Sequence, residues 1–279
     1  MTYAGSKDKI LDQILPYLNA SKKDVMVDLF CGGGSVTSAE LKFKHVIAND
    51  INKDLIEAEE NMVRLYQTSP DAFDENIALI MSACPENKDQ YVKYRAKYNS
   101  EQEEADRWTE FLVLASCCTN NLIRYNRRGE FNQTYGERKM NPHSVERMKD
   151  FCRRVCLAHQ DIVFSSSDYR KFTDSTAYST WIGEGTACYY IDPPYSNSTV
   201  KYTSWNSDDD KELLSFIEAL SGKGNDIIVS SFVKNGERTE IEDGLVKSGF
   251  TEHLLSQDYS KGARIKTNQY QETLYVKMS

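Results

Sequence analysis

The sequence predicts an α/β fold in which a mixed, mostly parallel sheet has helices on both faces and is interrupted by an insertion. Short apolar runs typical of buried strands alternate with helical patterns in both terminal parts of the chain. In the middle, apolar residues keep helical spacing and are followed by Arg127-Arg128-Gly129, which predicts the tip of a β-hairpin. We therefore expect one sheet domain formed by residues 1–58 and 156–279, and a helical and β-hairpin insertion at residues 59–155.

The individual elements follow from the spacing of the apolar residues. Helical spacing marks residues 10–18, 54–118 and 208–220. Pro16 is expected to kink or split the first helix, and the acidic run from Asp208 to Asp210 supplies a negatively charged first turn to the last one. Apolar or alternating runs predict the strands, which fall at residues 25–28, 45–48, 162–164, 189–191, 227–229 and 274–276.

Composition limits the class of protein. The 279 residues contain no apolar run long enough for a membrane helix. The seven cysteines form no C-x-x-C motif and the four histidines show no metal-ligand spacing, so we expect reduced thiols, no metal and a cytoplasmic protein. The net charge of −8 is unusual for a nucleic-acid binder. Between residues 124 and 139, however, five basic residues outnumber two acidic ones, so a basic face on an acidic chain can still bind DNA.

The most informative motif is Asp192-Pro193-Pro194-Tyr195, which follows the apolar run at residues 188–191. Pro193 cannot donate to a ladder, so the strand must end there. The two prolines predict a rigid elbow at the carboxyl end of the strand, where open α/β sheets bind their ligands. A flat ring with an amino group fits this elbow, because Asp192 and the Pro193 carbonyl can accept the two amine hydrogens while Tyr195 stacks on the ring.

A second motif predicts a cofactor site. Asp28 ends an apolar strand that enters a turn containing Gly32 and Gly34, where a ligand can approach the backbone closely. Asp50 lies at the tip of the next strand and suits ribose hydroxyls. Thr37 breaks the dinucleotide-binding fingerprint, which requires glycine at that position. An acid before the glycines also suits a cationic cofactor better than a pyrophosphate.

Together these motifs resemble the DNA adenine methyltransferases of the Dam type, especially their phage members. The resemblance follows the family's order along most of the chain, in residues 3–7, 28–34, 48–51, 121–132 and 192–195. It implies a Rossmann-like catalytic domain, a target-recognition insertion and S-adenosylmethionine as the cofactor. The implied substrate is an adenine flipped out of double-stranded DNA at GATC or a related site. We expect a monomer in the cytoplasm of a bacterium or of a phage-infected host cell.

The resemblance also assigns roles to individual residues. Asp192, Pro193, Pro194 and Tyr195 form the expected catalytic elbow, in which Asp192 acts electrostatically on the target amine. The segment from residue 196 to residue 205 is either a loop that orders over the flipped base or a surface loop. The expected cofactor-binding residues are Tyr3, Lys7, Asp28, Phe30, Gly32, Gly34, Asp50, Asp168, Tyr169 and Asp192.

The predicted hairpin is the expected DNA-recognition element, and the resemblance implies that it enters the major groove. Arg124 is expected to read a guanine and Leu122 to meet a thymine methyl group, whereas Arg127 and Arg128 are expected to contact phosphates. Thr134 stands where family members typically carry a proline that helps to read the thymine, so the preferred site can differ from GATC. The full set of expected DNA-binding residues is Asn120, Leu122, Arg124, Asn126, Arg127, Arg128, Asn132 and Thr134.

Two alternatives use the same motifs. The first alternative is a methyltransferase that acts on RNA or on protein amides, since such enzymes use the same elbow. The predicted recognition hairpin argues against a protein substrate. The second alternative is a catalytically silent DNA-binding homologue, against which the intact Asp28, Asp50 and Asp192 argue. A nicotinamide-dependent oxidoreductase is disfavoured by the fingerprint that Thr37 breaks.

Overall fold

A computed structural model describes residues 5–100, 106–158, 161–195, 205–234, 236–256 and 270–279. The chain divides into two compact units. The sheet unit comprises Lys7–Cys31, Ser35–Ile51 and Gln160–Ser279, and the helical unit comprises Met1–Ser6, Gly32–Gly34 and Asn52–His159. The division into a catalytic domain, residues 1–58 and 156–279, and a target-recognition domain, residues 59–155, stays a prediction.

Within the described residues, seven strands form one sheet in the order β3-β2-β1-β4-β5-β7-β6. The strands are β1 (Val25–Asp28), β2 (His45–Asn49), β3 (Asp161–Ser165), β4 (Cys188–Ile191), β5 (Asp226–Lys234), β6 (Thr251–Leu254) and β7 (Tyr270–Lys277). The neighbours from β3 to β5 pair in parallel, whereas β7 is antiparallel to both β5 and β6. This topology confirms the predicted Rossmann-like sheet, mixed and mostly parallel.

The described helices belong to both units. The sheet unit contains α1 (Leu11–Leu18), α7 (Thr176–Trp181), α8 (Ser207–Gly222) and α9 (Glu240–Lys247). The helical unit contains α2 (Lys53–Thr68), α3 (Pro70–Ala83), α4 (Lys88–Ser100), α5 (Arg107–Cys117) and α6 (Pro142–Leu157). Pro16 lies in the last turn of α1 and does not split it, because the helix ends two residues later and little of it depends on the missing amide. None of the described helices combines the length and the apolarity needed to cross a membrane.

Alternate residues of the strands point to opposite faces of the sheet. Met26, Cys188 and Ile228 belong to a buried cluster that includes Ile14 and Leu18 of α1. Their neighbours along the strands belong to a second cluster, which contains Val27, Tyr189, Ile227, Leu213 of α8 and Leu245 of α9. Because both faces are covered, the central strands are continuous apolar runs and not alternating ones.

The order of the strands reverses between β1 and β4, which creates a crevice at the carboxyl ends of these two strands. β1 ends at Asp28, and β4 ends at Ile191, directly before Asp192. The two acids that the sequence singled out therefore lie on either side of the point where open α/β sheets bind their ligands.

The helices α6, α7 and α9 were not predicted from the sequence, and the structure differs in detail from the sequence-based expectation at β6 and at the hairpin. The sequence did not predict β6, since this edge strand is short and none of its four side chains is fully buried. The predicted hairpin is present, but its pairing is limited to two isolated bridges, Cys118 with Tyr135 and Tyr125 with Phe131. Its tip is held by Asn126, whose side-chain oxygen accepts from the backbone amides of Arg128 at 2.9 Å and Glu130 at 3.1 Å. A side chain thus supplies bonds that a longer ladder would otherwise provide.

Candidate active site

The elbow after β4 carries a closed triangle of polar groups. The Tyr195 hydroxyl donates to Oδ1 of Asp192 at 2.7 Å. Nζ of Lys7 lies 3.0 Å from Oδ2 of Asp192 and donates to the Tyr195 hydroxyl at 3.0 Å. Both carboxylate oxygens of Asp192 therefore have donors from the chain itself.

Lys7 is the buried cation of this triangle, with only 5% of its surface exposed. Burial alone would lower the pKa of Lys7, but Asp192 and Glu272 raise it well above its ordinary value. Glu272 belongs to β7, and its Oε2 lies 3.9 Å from Nζ of Lys7. Lys7 therefore carries a fixed positive charge against the Asp192 carboxylate.

Tyr195 completes the triangle with a neutral phenol. Burial, together with the nearby Asp192 and Glu272, raises its pKa well above the ordinary value for tyrosine. Its ring stacks on Phe232 of β5, with 5.8 Å between the ring centroids and 23° between the ring planes. The elbow therefore presents a fixed hydrogen-bond donor and a rigid aromatic surface.

Asp28 is a buried carboxylate at the end of β1, with 2% of its surface exposed. The Thr37 hydroxyl donates to its Oδ2 at 2.8 Å, so the residue that breaks the dinucleotide fingerprint supports this acid. Burial raises the pKa of Asp28 to about 7, the Thr37 hydrogen bond opposes this shift, and Asp192 and Asp50 add to it. The protein thus places a carboxylate here that a positively charged ligand would stabilise.

Asn49 joins the ends of three neighbouring strands. Its side-chain amide donates to the carbonyl of Leu29 at 3.1 Å and to the carbonyl of Ser167 at 3.0 Å, and its Oδ1 accepts from the Ser167 amide at 3.1 Å. Asp50 follows directly, is 9% exposed, and its backbone amide donates to Ser165 of β3. The position of Asp50 at the sheet edge is therefore set by its buried neighbour.

Asp168 and Tyr169 follow β3, as the sequence predicts, and they belong to a network that it did not predict. Asp168 caps a short 3-10 helix by accepting from the Arg170 amide at 2.9 Å. The Arg170 guanidinium pairs with Asp168, Asp209 and Glu212 and lies 4.7 Å from the centroid of the Tyr169 ring. Phe30, from the end of β1, contacts Tyr169 with 5.5 Å between the ring centroids.

The glycine turn is constrained by its own conformation and by a neighbour within the helical unit. Gly32 and Gly34 have φ values of 52° and 69°, which favour glycine. A Cβ atom on Gly34 would lie 2.5 Å from Cε2 of Phe151 in α6. A side chain at Gly34 is therefore excluded on two independent grounds.

Tyr125 anchors the hairpin within the helical unit. Its hydroxyl donates to Oδ2 of Asp54 at 2.5 Å, and Asp54 also pairs with Nε of Arg107 at 3.5 Å. Arg107 lies over the ring of Tyr98, 3.8 Å from its centroid. This partly buried network fixes one edge of the hairpin to α2 and α5.

The expected DNA-contacting side chains project from this anchored hairpin. Arg124, Arg127 and Arg128 are exposed. Arg124 is oriented by Asn132, since its Nε donates to the Asn132 side-chain oxygen at 2.9 Å and its Nη2 donates to the Asn132 carbonyl at 3.3 Å. The Asn126 amide donates to the Glu130 carboxylate at 2.6 Å, so Asn126 holds the turn.

The remaining hairpin residues differ in exposure. Asn120 is exposed and has a φ of 57°, Leu122 is half-buried, and Thr134 is exposed. The Thr134 hydroxyl lies 2.8 Å from the Thr119 hydroxyl, and the Thr134 amide donates only to the side chain of Gln133 among the described bonds.

The structure thus brings most of the predicted site residues of the sheet unit to one edge of the sheet. Lys7, Asp28, Asp50 and Asp192 lie there, with Phe30, Asp168 and Tyr169 beside them. Tyr3 and residues 196–204 lie outside the described residues. Sequence reasoning missed several supporting residues, which are Thr37, Asn49, Arg170, Trp205, Asp210 and Glu272. For Asn49, Asp210 and Glu272 the available signal was a polar residue next to a predicted strand end or helix start.

Comparisons with known proteins agree on one family. The family model described as "D12 class N6 adenine-specific DNA methyltransferase" matches residues 3–273. The chain is 27% identical over 279 residues to the modification methylase StsI of Streptococcus sanguinis, covering 94% of this chain but 40% of that protein. It is 29% identical over 209 residues to a DNA adenine methylase of Serratia marcescens, covering 74% of this chain and 71% of that protein.

Among solved structures, the rRNA methyltransferase aviRa from Streptomyces viridochromogenes aligns with 96% of this chain and 82% of its own. The TM-score is 0.39 and the identity is 12%, so this alignment adds nothing to the topology described above. The family match covers nearly the whole chain, in agreement with the order of motifs and the geometry of the elbow. The chain therefore belongs to the D12 class of N6 adenine-specific DNA methyltransferases.

Proposed function

We propose that the chain transfers a methyl group from S-adenosylmethionine to the exocyclic amine of an adenine that is flipped out of duplex DNA, at GATC or a related site. The observation that carries the proposal is the placement of Asp28, Asp50 and Asp192 at the carboxyl ends of β1, β2 and β4. They are close enough for Asp50 and Asp192 to raise the pKa of Asp28. Three carboxylates at one edge of a sheet favour a positively charged ligand.

S-adenosylmethionine fits this edge because its sulfonium and ammonium groups are cationic and its ribose offers hydroxyl donors. When bound, it supplies a methyl group on a good leaving group, so the proposed reaction does not require a metal. Asp50 is the proposed acceptor for the ribose and Asp28 the proposed partner of the positive charge. Phe30, Asp168 and Tyr169 are the proposed contacts of its adenine.

Asp192 is the proposed acceptor for the target amine. Lys7 and Tyr195 each donate to one of its oxygens, and an ionised carboxylate offers about four acceptor sites. The amine can therefore use a remaining lone pair of Asp192 while both donors stay in place. The amine can then donate to Asp192 and to the Pro193 carbonyl, which draws its lone pair out of the ring.

The recognition hairpin supports DNA as the substrate. Its exposed arginines lie at and beside the tip, and Arg124 is oriented by Asn132 in a way that suits contact with a base edge. A base within a duplex cannot reach an elbow of this kind, so the adenine must be flipped out. We propose that the chain acts as a monomer, which sedimentation with and without DNA tests.

Transfer of tritium from methyl-labelled cofactor tests the substrate class. Unmethylated duplex DNA, RNA and total protein are incubated separately with the protein, and the labelled bases of the DNA are then mapped by sequencing. We expect label in duplex DNA and only on adenine, with the rate unchanged by EDTA. Label in RNA or protein, with none in DNA, supports the alternative substrates instead.

Asp192→Ala distinguishes an active enzyme from a silent DNA-binding homologue. We expect a loss of roughly 100-fold or more in turnover, with cofactor and DNA binding retained, because Asp192 acts on the transition state. Asp71→Ala, which removes an exposed carboxylate of α3, is the matched control and should leave the rate unchanged. Near-normal single-turnover rates in Asp192→Ala contradict the assignment.

A further inference from the structure

Trp205 has a fixed orientation next to the first turn of α8. Its indole Nε1 donates to Oδ1 of Asp210 at 2.7 Å. Asp210 is 4% exposed, and a buried carboxylate needs such a donor. The bond therefore sets the direction of the indole plane.

The indole contacts two aromatic residues that follow the strand ends. Its centroid lies 6.0 Å from that of Phe30, with an interplanar angle of 82°, and 5.9 Å from that of Tyr169. Phe30 is two residues beyond Asp28, and Tyr169 directly follows Asp168. Trp205 thus contacts two of the three residues proposed to contact the adenine of the cofactor.

Core packing alone accounts for only part of this cluster. Tyr169 is 4% exposed and belongs to the core, but Phe30 and Trp205 are half-buried and keep accessible ring surface. The Tyr169 hydroxyl is buried and has no hydrogen-bond partner among the described residues. Open aromatic surface beside an unsatisfied hydroxyl suits a flat heteroaromatic ring, which can stack and also accept a hydrogen bond.

We propose that Trp205 binds the cofactor by contacting its adenine together with Phe30, and that Asp210 is a positioning residue acting through Trp205. This inference rests on the proposed function, because it assigns a further residue to the same cofactor. It also explains the geometry of this contact: the buried Asp210 carboxylate has the indole N–H as a partner, and the indole contacts residues that follow β1 and β3.

The fluorescence of Trp205 itself provides the first test. The chain has three tryptophans, so a variant carrying Trp108→Phe and Trp181→Phe keeps only Trp205. Titration with S-adenosylhomocysteine should change its emission in a saturable way, at the dissociation constant that calorimetry gives for the same variant. Trp205→Phe, in which the other two tryptophans remain, should lose this response.

Affinity and kinetics provide the second test. Trp205→Ala should raise the dissociation constant of S-adenosylhomocysteine about tenfold, and Asp210→Ala should raise it roughly 3- to 10-fold. Asp210→Asn keeps an acceptor for the indole and should restore most of the affinity. Asp208→Ala, an exposed carboxylate of the same helix turn, is the matched control.

Asp210→Ala should also raise KM for the cofactor while leaving KM for DNA and kcat unchanged, a split that a general loss of stability does not produce. If calorimetry shows binding to the wild type but Trp205 emission and the Asp210→Ala affinity do not change, Trp205 is not a cofactor contact and the proposed function stands. If the wild type binds no S-adenosylhomocysteine, the proposed function fails and this inference fails with it.

Discussion

At the scale of single residues, Asp28 is the buried carboxylate that we propose as the partner of the cofactor's positive charge. Burial, with Asp50 and Asp192 nearby, raises its pKa to about 7, although the Thr37 hydroxyl opposes the shift. In the free protein this acid is therefore largely protonated below pH 7, and a cationic ligand favours its ionised form. Binding of such a ligand must release a proton below that pH.

We predict that cofactor affinity depends on pH through Asp28. The dissociation constant of S-adenosylhomocysteine should fall by up to about tenfold per pH unit as pH rises toward 7, and should level off above it. Calorimetry between pH 5.5 and 8 measures this. Asp28→Asn should bind weakly and without the slope, and a wild-type affinity that does not depend on pH contradicts the prediction.

Asp28 also affects the stability of the free protein, which should fall as pH rises, whereas cofactor affinity should increase. A carboxyl whose pKa is raised on folding binds more protons in the folded than in the unfolded state, so stability falls as pH rises from about 4 to 7. The melting temperature of Asp28→Asn relative to wild type should therefore increase across this range. If the difference in melting temperature between Asp28→Asn and the wild type is the same at pH 5 and at pH 8, Asp28 is not the group that titrates.

Thr134 is the residue on which we expect the exact DNA site to depend. Proline there offers a rigid apolar ring to a thymine methyl group, whereas threonine offers a smaller methyl and a hydroxyl. Among the described bonds, the Thr134 amide donates only to the Gln133 side chain. Proline, which has no amide hydrogen, would therefore remove only this one backbone hydrogen bond. We predict that Thr134→Pro sharpens the preference for thymine without changing the chemical step, as measured by methylation rates on duplexes with each base at that position. If the wild type already rejects non-thymine sites as strongly as Thr134→Pro does, Thr134 does not determine the preference.

At the scale of elements, we propose that different residues of the hairpin read bases and contact phosphates. Arg124 lies on its rising strand and is oriented by Asn132, whereas Arg128 is exposed at the tip. We predict that Arg124→Ala costs about 1–3 kcal/mol of discrimination at one base pair. Arg128→Ala should weaken binding to all sequences. It should also reduce the slope of the logarithm of the binding constant against the logarithm of the salt concentration by about one unit. Binding to matched and mismatched duplexes at several salt concentrations distinguishes them, and uniform losses in both would make the hairpin an electrostatic clamp.

Some elements of the fold could be predicted from the sequence alone, and others could not. β1, β4 and the elbow are evident because their signals are local: an apolar run, then an acid, then glycines or prolines. β6 is an edge strand with partly exposed side chains, so its sequence carries no such signal. Contacts such as Lys7 with Glu272 join opposite ends of the chain, and no local pattern encodes them. The residues proposed to touch the ligand therefore carry a local sequence signal, whereas the residues that hold them in place do not.

At the scale of the whole molecule, the two compact units carry different parts of the proposed function. Asp28, Asp50 and Asp192 belong to the sheet unit, whereas the hairpin belongs to the helical unit. A ligand that binds only the folded form stabilises the unit that holds its site, by an amount set by its concentration relative to its dissociation constant. Calorimetric unfolding can therefore show which unit each ligand stabilises.

We predict that S-adenosylhomocysteine at a hundredfold excess over its dissociation constant stabilises the sheet unit by about 2.7 kcal/mol. Since each kcal/mol shifts the melting temperature of a unit this size by about 2–4 °C, the transition should rise by roughly 5–10 °C. Asp192→Ala should keep the shift, because Asp192 is proposed to act on the target amine, and Asp28→Asn should lose most of it. If unfolding occurs in two steps, the step of the sheet unit should move most with this ligand. A shift in Asp28→Asn equal to that of the wild type would show that the ligand binds away from the carboxyl end of β1.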